Sequence, residues 1–261
     1  MSNFRNFATA TFLVTIVSSN VFAAGPCNAK SGNETAAVLE LYTSEGCNSC
    51  PPADKWVSGL APNGFKANQL VPLAFHVDYW DYIGWTDRFA HSEFSGRHRG
   101  LARANGSGTV YTPQIFVNGK DIRLAFSNVK LNGTLKPINT ATPRADIGLE
   151  LDASNSSALN LSASASLADP ADDAHAYLAV YENKLTSNVK AGENRGVKLE
   201  HDYVVRELIG PLKFDRQGKL EIKQSVAVQS DWKLKNLGVA AFVQRRDSGE
   251  TLQALQVPAC M

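Results

Sequence analysis

Net charge is the first thing this chain lacks. Its 26 lysines and arginines against 25 aspartates and glutamates leave +1 at pH 7. That balance gives no electrostatic reason to seek nucleic acid or an anionic membrane surface as partner. The chain also lacks internal repeats. Beyond its first residues it has no apolar run long enough to span a bilayer. Cysteine is scarce, with four residues: Cys27, Cys47, Cys50 and Cys260. What it has in quantity is apolar material, 44% of 261 residues, enough for a sizeable core in one large or two modest domains.

The N-terminus has the pattern of a secretory signal. Arg5 supplies a positive start, Ala8 to Val17 a short apolar stretch, and Val21-Phe22-Ala23 a small-residue cleavage pattern, with Ala24 a second end point. A membrane anchor is the competing interpretation. The run is too short for one and is broken by Ser18, Ser19 and Asn20. Pro26, not a small residue, precedes Cys27, which disfavours a lipoprotein signal. The expectation is removal of residues 1–24 and an exported protein, periplasmic or secreted, with no membrane attachment after cleavage. Export implies an oxidising compartment in which disulfides persist. Four cysteines allow three pairings. A local Cys47–Cys50 pair leaves Cys27 with Cys260, unless these two stay free or pair between molecules.

From Ala36 to about Lys136, strand-like and helix-like segments alternate. Ala36–Tyr42 reads as a strand, Ala53 to Leu60 as a helix, Leu70 to Tyr79 as a strand and Asp87 to Ala104 as a surface helix. Gln114 to Asn118 and Asp121 to Phe126 read as a hairpin across Asn118-Gly119, followed by a weak helix from Asn128 to Leu135. The order predicts parallel strands joined by crossovers, with an antiparallel edge. Past Pro143 the texture changes to about seven short alternating runs, the pattern of an antiparallel sandwich.

The chemistry concentrates where the first strand meets the first helix. There Cys47-Asn48-Ser49-Cys50 places two thiols three positions apart. Free N–H groups of the first helical turn and the helix dipole favour a thiolate at that place. Cys47 would then attack, and Cys50 would resolve the mixed disulfide. This role requires the sulfur of Cys47 to sit unshielded at the head of the helix. The same two cysteines also suit a permanent disulfide or half of a metal site. Thr112-Pro113 opens a later strand. Its proline can be cis or an ordinary trans residue; in the cis form Thr112 would offer a backbone edge to an extended peptide.

Together, "LYTSEGCNSCP" and "TPQIFVNGK" resemble the thioredoxin superfamily over about residues 36–136. "ELYTSEGCNSCPPAD", "HVDYWDYIGWTDRFA" and "GENRGVKLEHDYVVREL" resemble, more narrowly, a family of exported thioredoxin-like proteins classed as a domain of unknown function. The resemblance implies an α/β thioredoxin-like domain, over residues 34–142; the alternating runs after it predict an all-β antiparallel sandwich domain over 143–261. The resemblance also implies Cys47 as nucleophile, Cys50 as resolving thiol and Pro113 as a cis proline beside Thr112. One departure concerns the buried acid that thioredoxins carry six residues before the first cysteine. Leu41 stands there. The neighbouring Glu40 would, if buried, have a raised pKa and could relay a proton to Cys50; alternatively it is solvated or salt-bridged. The Asn48-Ser49 spacer matches neither Gly-Pro nor Pro-His, so the direction of electron flow stays open.

Further candidates surround these. His76 and Asp78 share a strand face; His76 is either packed or a third ligand to copper or zinc with Cys47 and Cys50. Tyr79, Trp80, Tyr82 and Trp85 crowd one loop, as packing or as a substrate rim. Arg88, Arg97, His98, Arg99 and Arg103 make the second helix basic. Gly192 to Gly196, His201 and Arg206 look patterned without matching a metal or triad spacing. The expectation is thiol–disulfide exchange on a polypeptide thiol or disulfide, with no organic cofactor. The alternatives are a metal module and a non-catalytic binding protein with a structural disulfide.

Overall fold

A computed structural model of the chain describes residue 1 and residues 27–123 and 126–259. Residues 2–24 of the expected leader and Cys260 fall outside these. Cys27 is disulfide-bonded, but the expected bridge to Cys260 lies outside the described residues. Among the described residues there are fourteen strands and three α-helices. In chain order the strands are β1 (Cys27–Lys30), β2 (Ala37–Thr43), β3 (Leu70–His76), β4 (Gln114–Val117), β5 (Lys120–Asp121), β6 (Ala145–Asp152) and β7 (Ala158–Leu167). They continue with β8 (Ala174–Glu182), β9 (Leu185–Asn188), β10 (Lys198–His201), β11 (Val204–Lys213), β12 (Lys219–Ala227), β13 (Leu237–Arg245) and β14 (Thr251–Pro258). The helices are α1 (Pro51–Ser58), α2 (Ser92–Ala104) and α3 (Asn128–Asn139).

The expected α/β thioredoxin-like domain followed by a separate sandwich is not what forms. Strands from both halves share one mixed eight-stranded sheet, in the order β14-β13-β8-β11-β3-β2-β4-β5. A four-stranded antiparallel sheet, β1-β6-β7-β12, packs against part of it, and β9 and β10 form a separate hairpin. The joint is β11 on β3, a parallel pairing at Val204 and Ala74, with the Ala74 N–H donating to the Tyr203 carbonyl at 2.8 Å. Local periodicity marks β3 and β11 as strands but holds no information on which strand lies beside which. A pairing between residues 130 positions apart is invisible to it.

Alternation explains how one strand serves two cores. In β8, Ala176, Leu178 and Val180 face the four-stranded sheet with Leu149, Leu151 and Val239. The intervening Ala179 and Tyr181 join Val38, Phe75, Phe94 and Phe242 on the α2 side. A third cluster lies between β2–β4 and helices α1 and α3, built from Leu39, Leu41, Ala53, Val57, Ile115 and Leu131. The sheet centred on β2 is thus covered on both faces, so β2 is buried along its whole length and is apolar except at Glu40 and Thr43. Two glycines fix close approaches. A Cβ on Gly119 would lie 2.4 Å from the Gly249 carbonyl, and one on Gly238 would lie 2.3 Å from the Tyr181 ring.

Because the sheet is shared, damage to its second half should be felt in its first. Phe242 on β13 is fully buried and stacks on Tyr177 at 5.2 Å. Phe242→Ala is expected to cost about 3–5 kcal/mol. Hydrogen exchange should show equal loss of protection in β13 and in β2. Loss confined to β13 and β14 would mean that the two halves unfold separately.

Candidate functional site

The chain leaves β2 at Thr43 and turns through Ser44 to Cys50. The Cys47 N–H donates to the Ser44 carbonyl and the Cys50 N–H to the Cys47 carbonyl, both at 3.2 Å. Cys47 and Cys50 form a disulfide with their Cα atoms 5.5 Å apart. Helix α1 begins directly afterwards, with Cys50 as its N-cap. The start differs from expectation in one chemical respect. Pro51 and Pro52 carry no N–H, and the next two amides, of Ala53 and Asp54, both donate to the Cys50 carbonyl at 2.8 and 3.1 Å. No unbonded amide is left in that turn to face a thiolate.

The second departure is burial. Cys47 is 1% exposed and Cys50 0%. Only the spacer residues Asn48 and Ser49 reach solvent. The Ser49 hydroxyl lies 3.3 Å from Cys47 Sγ and donates weakly to the Thr112 carbonyl at 3.5 Å. The Thr112–Pro113 bond is cis. The structure therefore brings Cys47, Cys50, Thr112 and Pro113 together, while covering the sulfur that was expected to be open.

Glu40 goes elsewhere. It is 1% exposed, on the α2 side of β2. Arg97 of α2 donates to both its carboxylate oxygens at 2.8 Å, Tyr42 Oη at 2.8 Å and Gln244 Nε2 at 3.1 Å. Burial acts to raise its pKa, but the Arg97 guanidinium holds the carboxyl below its ordinary value. The raised pKa expected of a buried Glu40 is thus reversed, and the residue is a paired carboxylate. His98, beside it, stacks on Tyr42 at 4.0 Å and is pushed down to about 4 by burial, so it is neutral.

A buried ionic cluster surrounds the start of α1, and the sequence reading named only part of it. Its members are Glu45, Asp54, His76, Asp87 and His201, all at most 6% exposed. Asp87 receives the Glu45 and Phe89 N–H groups and lies 2.7 Å from His76 Nδ1. Trp85 Nε1 donates to Glu45 at 2.8 Å, and Thr43 Oγ1 to Asp54 at 3.1 Å. His201 stands between Glu45, at 3.3 Å, and Asp54, at 4.0 Å. Burial raises the pKa of Asp54 despite the nearby histidines. Among the described residues no group of three or more His, Cys, Asp and Glu side chains is placed to hold a metal ion. His76 is held by Asp87.

The remaining candidates separate. Trp80 donates to Thr112 Oγ1 at 2.7 Å and Trp85 to Glu45, so both line the site. Tyr79 packs toward His98, and Tyr82 is 82% exposed. Arg88 donates to the Thr186 carbonyl at 3.1 Å, while Arg99 and Arg103 are exposed. Asp78 is bonded to Ser95 on α2. Arg206 binds Glu182 and Asp231, each at 2.6 Å. Tyr203, at φ +58°, separates His201 on β10 from Arg206 on β11. Asn194, in the patterned Gly192–Gly196 stretch, lies against the redox loop and donates to the carbonyls of Glu45 at 2.8 Å and Cys47 at 3.0 Å. The glycines at 192 and 196 were the signal for its tight loop.

Two stability tests follow from these pairs. Glu40→Gln strips a buried arginine of its charge partner and is expected to cost about 3–5 kcal/mol in denaturant unfolding. Unchanged stability would show that the pair does not tie α2 to β2. For His76, burial acts to lower the pKa, but Asp87 raises it above 6.5; Asp87, which burial would raise, is held below 3.8 by His76. The contribution of His76 is complete below pH 6.5 and is lost as pH rises through its raised folded value. That of Asp87 is complete above pH 3.8 and is lost as pH falls through its lowered folded value. The stability lost in His76→Gln should be largest between pH 3.8 and 6.5 and shrink on both sides. A loss independent of pH would show that the pair carries no charge.

Comparison with known proteins adds a family and a fold. No curated protein matches the chain. The crystal structure of protein AGR_C_4864 from Agrobacterium tumefaciens is similar over 88% of this chain and 97% of that one, at 24% identity and a TM-score of 0.61. HBP35 of Porphyromonas gingivalis is similar over 87% of this chain and 76% of that one, at 17% identity and a TM-score of 0.66. At these identities the likeness is one of fold alone. The model of the family described as protein of unknown function (DUF1223) matches residues 38–244, most of the chain, and the chain belongs to that family.

Proposed function

We propose that Cys47–Cys50 is a dithiol–disulfide exchange centre acting on polypeptide thiols in an exported protein. One observation carries this reading. The disulfide lies directly beneath an exposed two-residue spacer whose serine hydroxyl spans Cys47 Sγ and the Thr112 carbonyl, at 3.3 and 3.5 Å. A reactive pair thus abuts the backbone edge of the 112–113 turn, along which an extended chain can be aligned. The local likeness of these two segments to thioredoxin active-site segments supports the same reading. Export rests on the sequence of residues 1–24.

The step balances without a cofactor. A substrate thiolate attacks Cys47, the Cys47–Cys50 bond breaks, and Cys50 leaves as a thiolate that takes a proton. A second thiol of the substrate then attacks the mixed disulfide and releases Cys47. Two electrons and two protons pass from the substrate dithiol to the protein, and the reverse reaction runs in the opposite direction.

A second reading, a static disulfide, is favoured by the 1% exposure of Cys47 and by the lack of free amides at the head of α1. Reduction potential and reactivity separate the two. The exchange reading expects a potential within about −270 to −120 mV. It also expects a Cys50→Ala variant whose Cys47 is alkylated readily and retains polypeptides as mixed disulfides in the native host. A potential below about −300 mV with an inert Cys47 would leave the static reading. Recovery of no mixed disulfide from a reactive Cys47 would count against a polypeptide substrate.

A further inference from the structure

Cys47 is buried, and one short stretch of chain holds the redox loop around it through that loop's backbone groups. Between β9 and β10 the chain runs out as loop 189–197. Its base is closed by Val189 N–H to the Val197 carbonyl at 3.0 Å and Gly196 N–H to the Val189 carbonyl at 2.8 Å. At its tip Asn194, 5% exposed, sends its carboxamide N–H groups to the carbonyls of Glu45 and Cys47 at 2.8 and 3.0 Å. The neighbouring Glu193 carboxylate accepts the Asn48 N–H at 3.0 Å. Ile83 is wedged between the two loops. A Cβ on Gly192, which has φ +71°, would lie 3.0 Å from its Cδ1, and one on Gly46 would lie 3.1 Å from the same atom.

These contacts have the chemistry of a peptide. An extended chain offers N–H donors and carbonyl acceptors in alternation. A carboxamide N–H on the Cys47 carbonyl and a carboxylate oxygen on the Asn48 N–H supply one of each, on successive residues at the reactive sulfur. Glu193 and Asn194 are themselves adjacent, so the loop occupies both positions together. We propose that the Glu45 and Cys47 carbonyls and the Asn48 N–H are a binding subsite for an extended polypeptide, masked by Asn194 and Glu193 until a substrate displaces loop 189–197. The subsite lies on the flank of Cys47 held by this loop, and the Thr112 carbonyl provides a separate edge. The proposal rests on the exchange reading above and explains how a covered sulfur can still be selective. A small thiol gains nothing from the subsite, whereas a polypeptide recovers the hydrogen bonds that the loop gives up.

The test compares the intact protein with Asn194→Ala and Glu193→Ala, measuring disulfide reduction by dithiothreitol and by a reduced, unfolded polypeptide. Losing two buried hydrogen bonds should populate the open loop. Asn194→Ala is expected to be reduced on the order of 10-fold faster by dithiothreitol. The unmodified protein should favour the polypeptide over dithiothreitol by more than Asn194→Ala does. Should Asn194→Ala fail to fold, Glu193→Ala, changed at an exposed position, should show a smaller gain of roughly 3-fold. In Cys50→Ala, whose loop 189–197 is unaltered, hydrogen exchange should show that loop losing protection when Cys47 is held in a mixed disulfide with the polypeptide. Rates equal to those of the unmodified protein, or a loop still protected in the mixed disulfide, would overturn the masking while leaving exchange intact. A disulfide that neither reductant opens in any variant would overturn both.

Discussion

The surroundings of the disulfide depend on one backbone pairing, β11 lying parallel to β3. It is short, a single register pair at Val204 and Ala74 plus the Ala74-to-Tyr203 hydrogen bond of 2.8 Å. Yet it brings the second half of the chain against the redox loop and the start of α1. The chain reaches β11 from β10 by a turn at Tyr203, a non-glycine residue at φ +58° whose N–H is taken by Asn183 Oδ1 at 2.8 Å. Such a backbone costs on the order of 1–3 kcal/mol and persists only where its neighbours fix it. Here the Tyr203 side chain packs against the apolar clusters on both faces of the sheet. With β11 in place, β10 packs on α1, His201 enters between Glu45 and Asp54, and loop 189–197 comes down on the redox loop. A thioredoxin-like unit that ended at β3 would have none of these groups.

Two buried ionic sites flank β2, and they differ in completeness. On the α2 side the Glu40 oxygens are bonded by Arg97, Tyr42 and Gln244. A fully satisfied network of this kind fixes geometry and resists change. Around α1, by contrast, Glu45 Oε1, His76 Nε2 and both ring nitrogens of His201 have no aligned partner among the described residues. Buried groups left in that condition cost stability, so the fold carries a penalty next to the disulfide that it avoids at Glu40. The asymmetry separates a satisfied site that holds helix α2 to the sheet from one that carries unpartnered buried groups beside the disulfide.

Much of the local structure was legible. The strand before Cys47, the helix after Pro51, the hairpin turn at Asn118-Gly119 and the helix beginning at Asn128 follow from alternation, proline position and turn residues. The pairing of Cys47 with Cys50 was legible from their spacing. Topology was not. Each strand past residue 143 carries the alternation of an antiparallel sheet, and the strands do pair antiparallel to one another. Nothing in that period says that β11 continues the sheet of β3. The same blindness hid the partners of the site. Glu45 and Asp54 lie within the cysteine motif itself, but only a tertiary contact with His201 makes them a cluster. Glu40 was rightly placed opposite Leu41. Its pKa direction depended on Arg97, whose side chain belongs to a helix that reads simply as basic. The glycines around Asn194 mark a tight loop, but only the tertiary contact with the Glu45 and Cys47 carbonyls shows where that loop lies.

The covered sulfur is the point on which the functional argument turns. Thiol reactivity needs thiolate character and access. The head of α1 supplies less of the first than a helix start normally does, because Pro51 and Pro52 bring no N–H and the next two amides are used by Cys50. What remains is the helix dipole and the Ser49 hydroxyl at 3.3 Å. Loop 189–197 is held against the redox loop by groups that are themselves light and replaceable, namely one carboxamide and one carboxylate, with one isoleucine side chain between the two loops. A disulfide meant only as a staple gains nothing from a cover made of backbone-directed hydrogen bonds, since apolar packing would exclude solvent at lower cost. A disulfide meant to meet polypeptides gains a filter, because only a partner able to replace those bonds can open it. The composition of these contacts bears on which partners could open the disulfide; the exchange proposal itself rests on the Ser49 hydroxyl between Cys47 and the Thr112 edge.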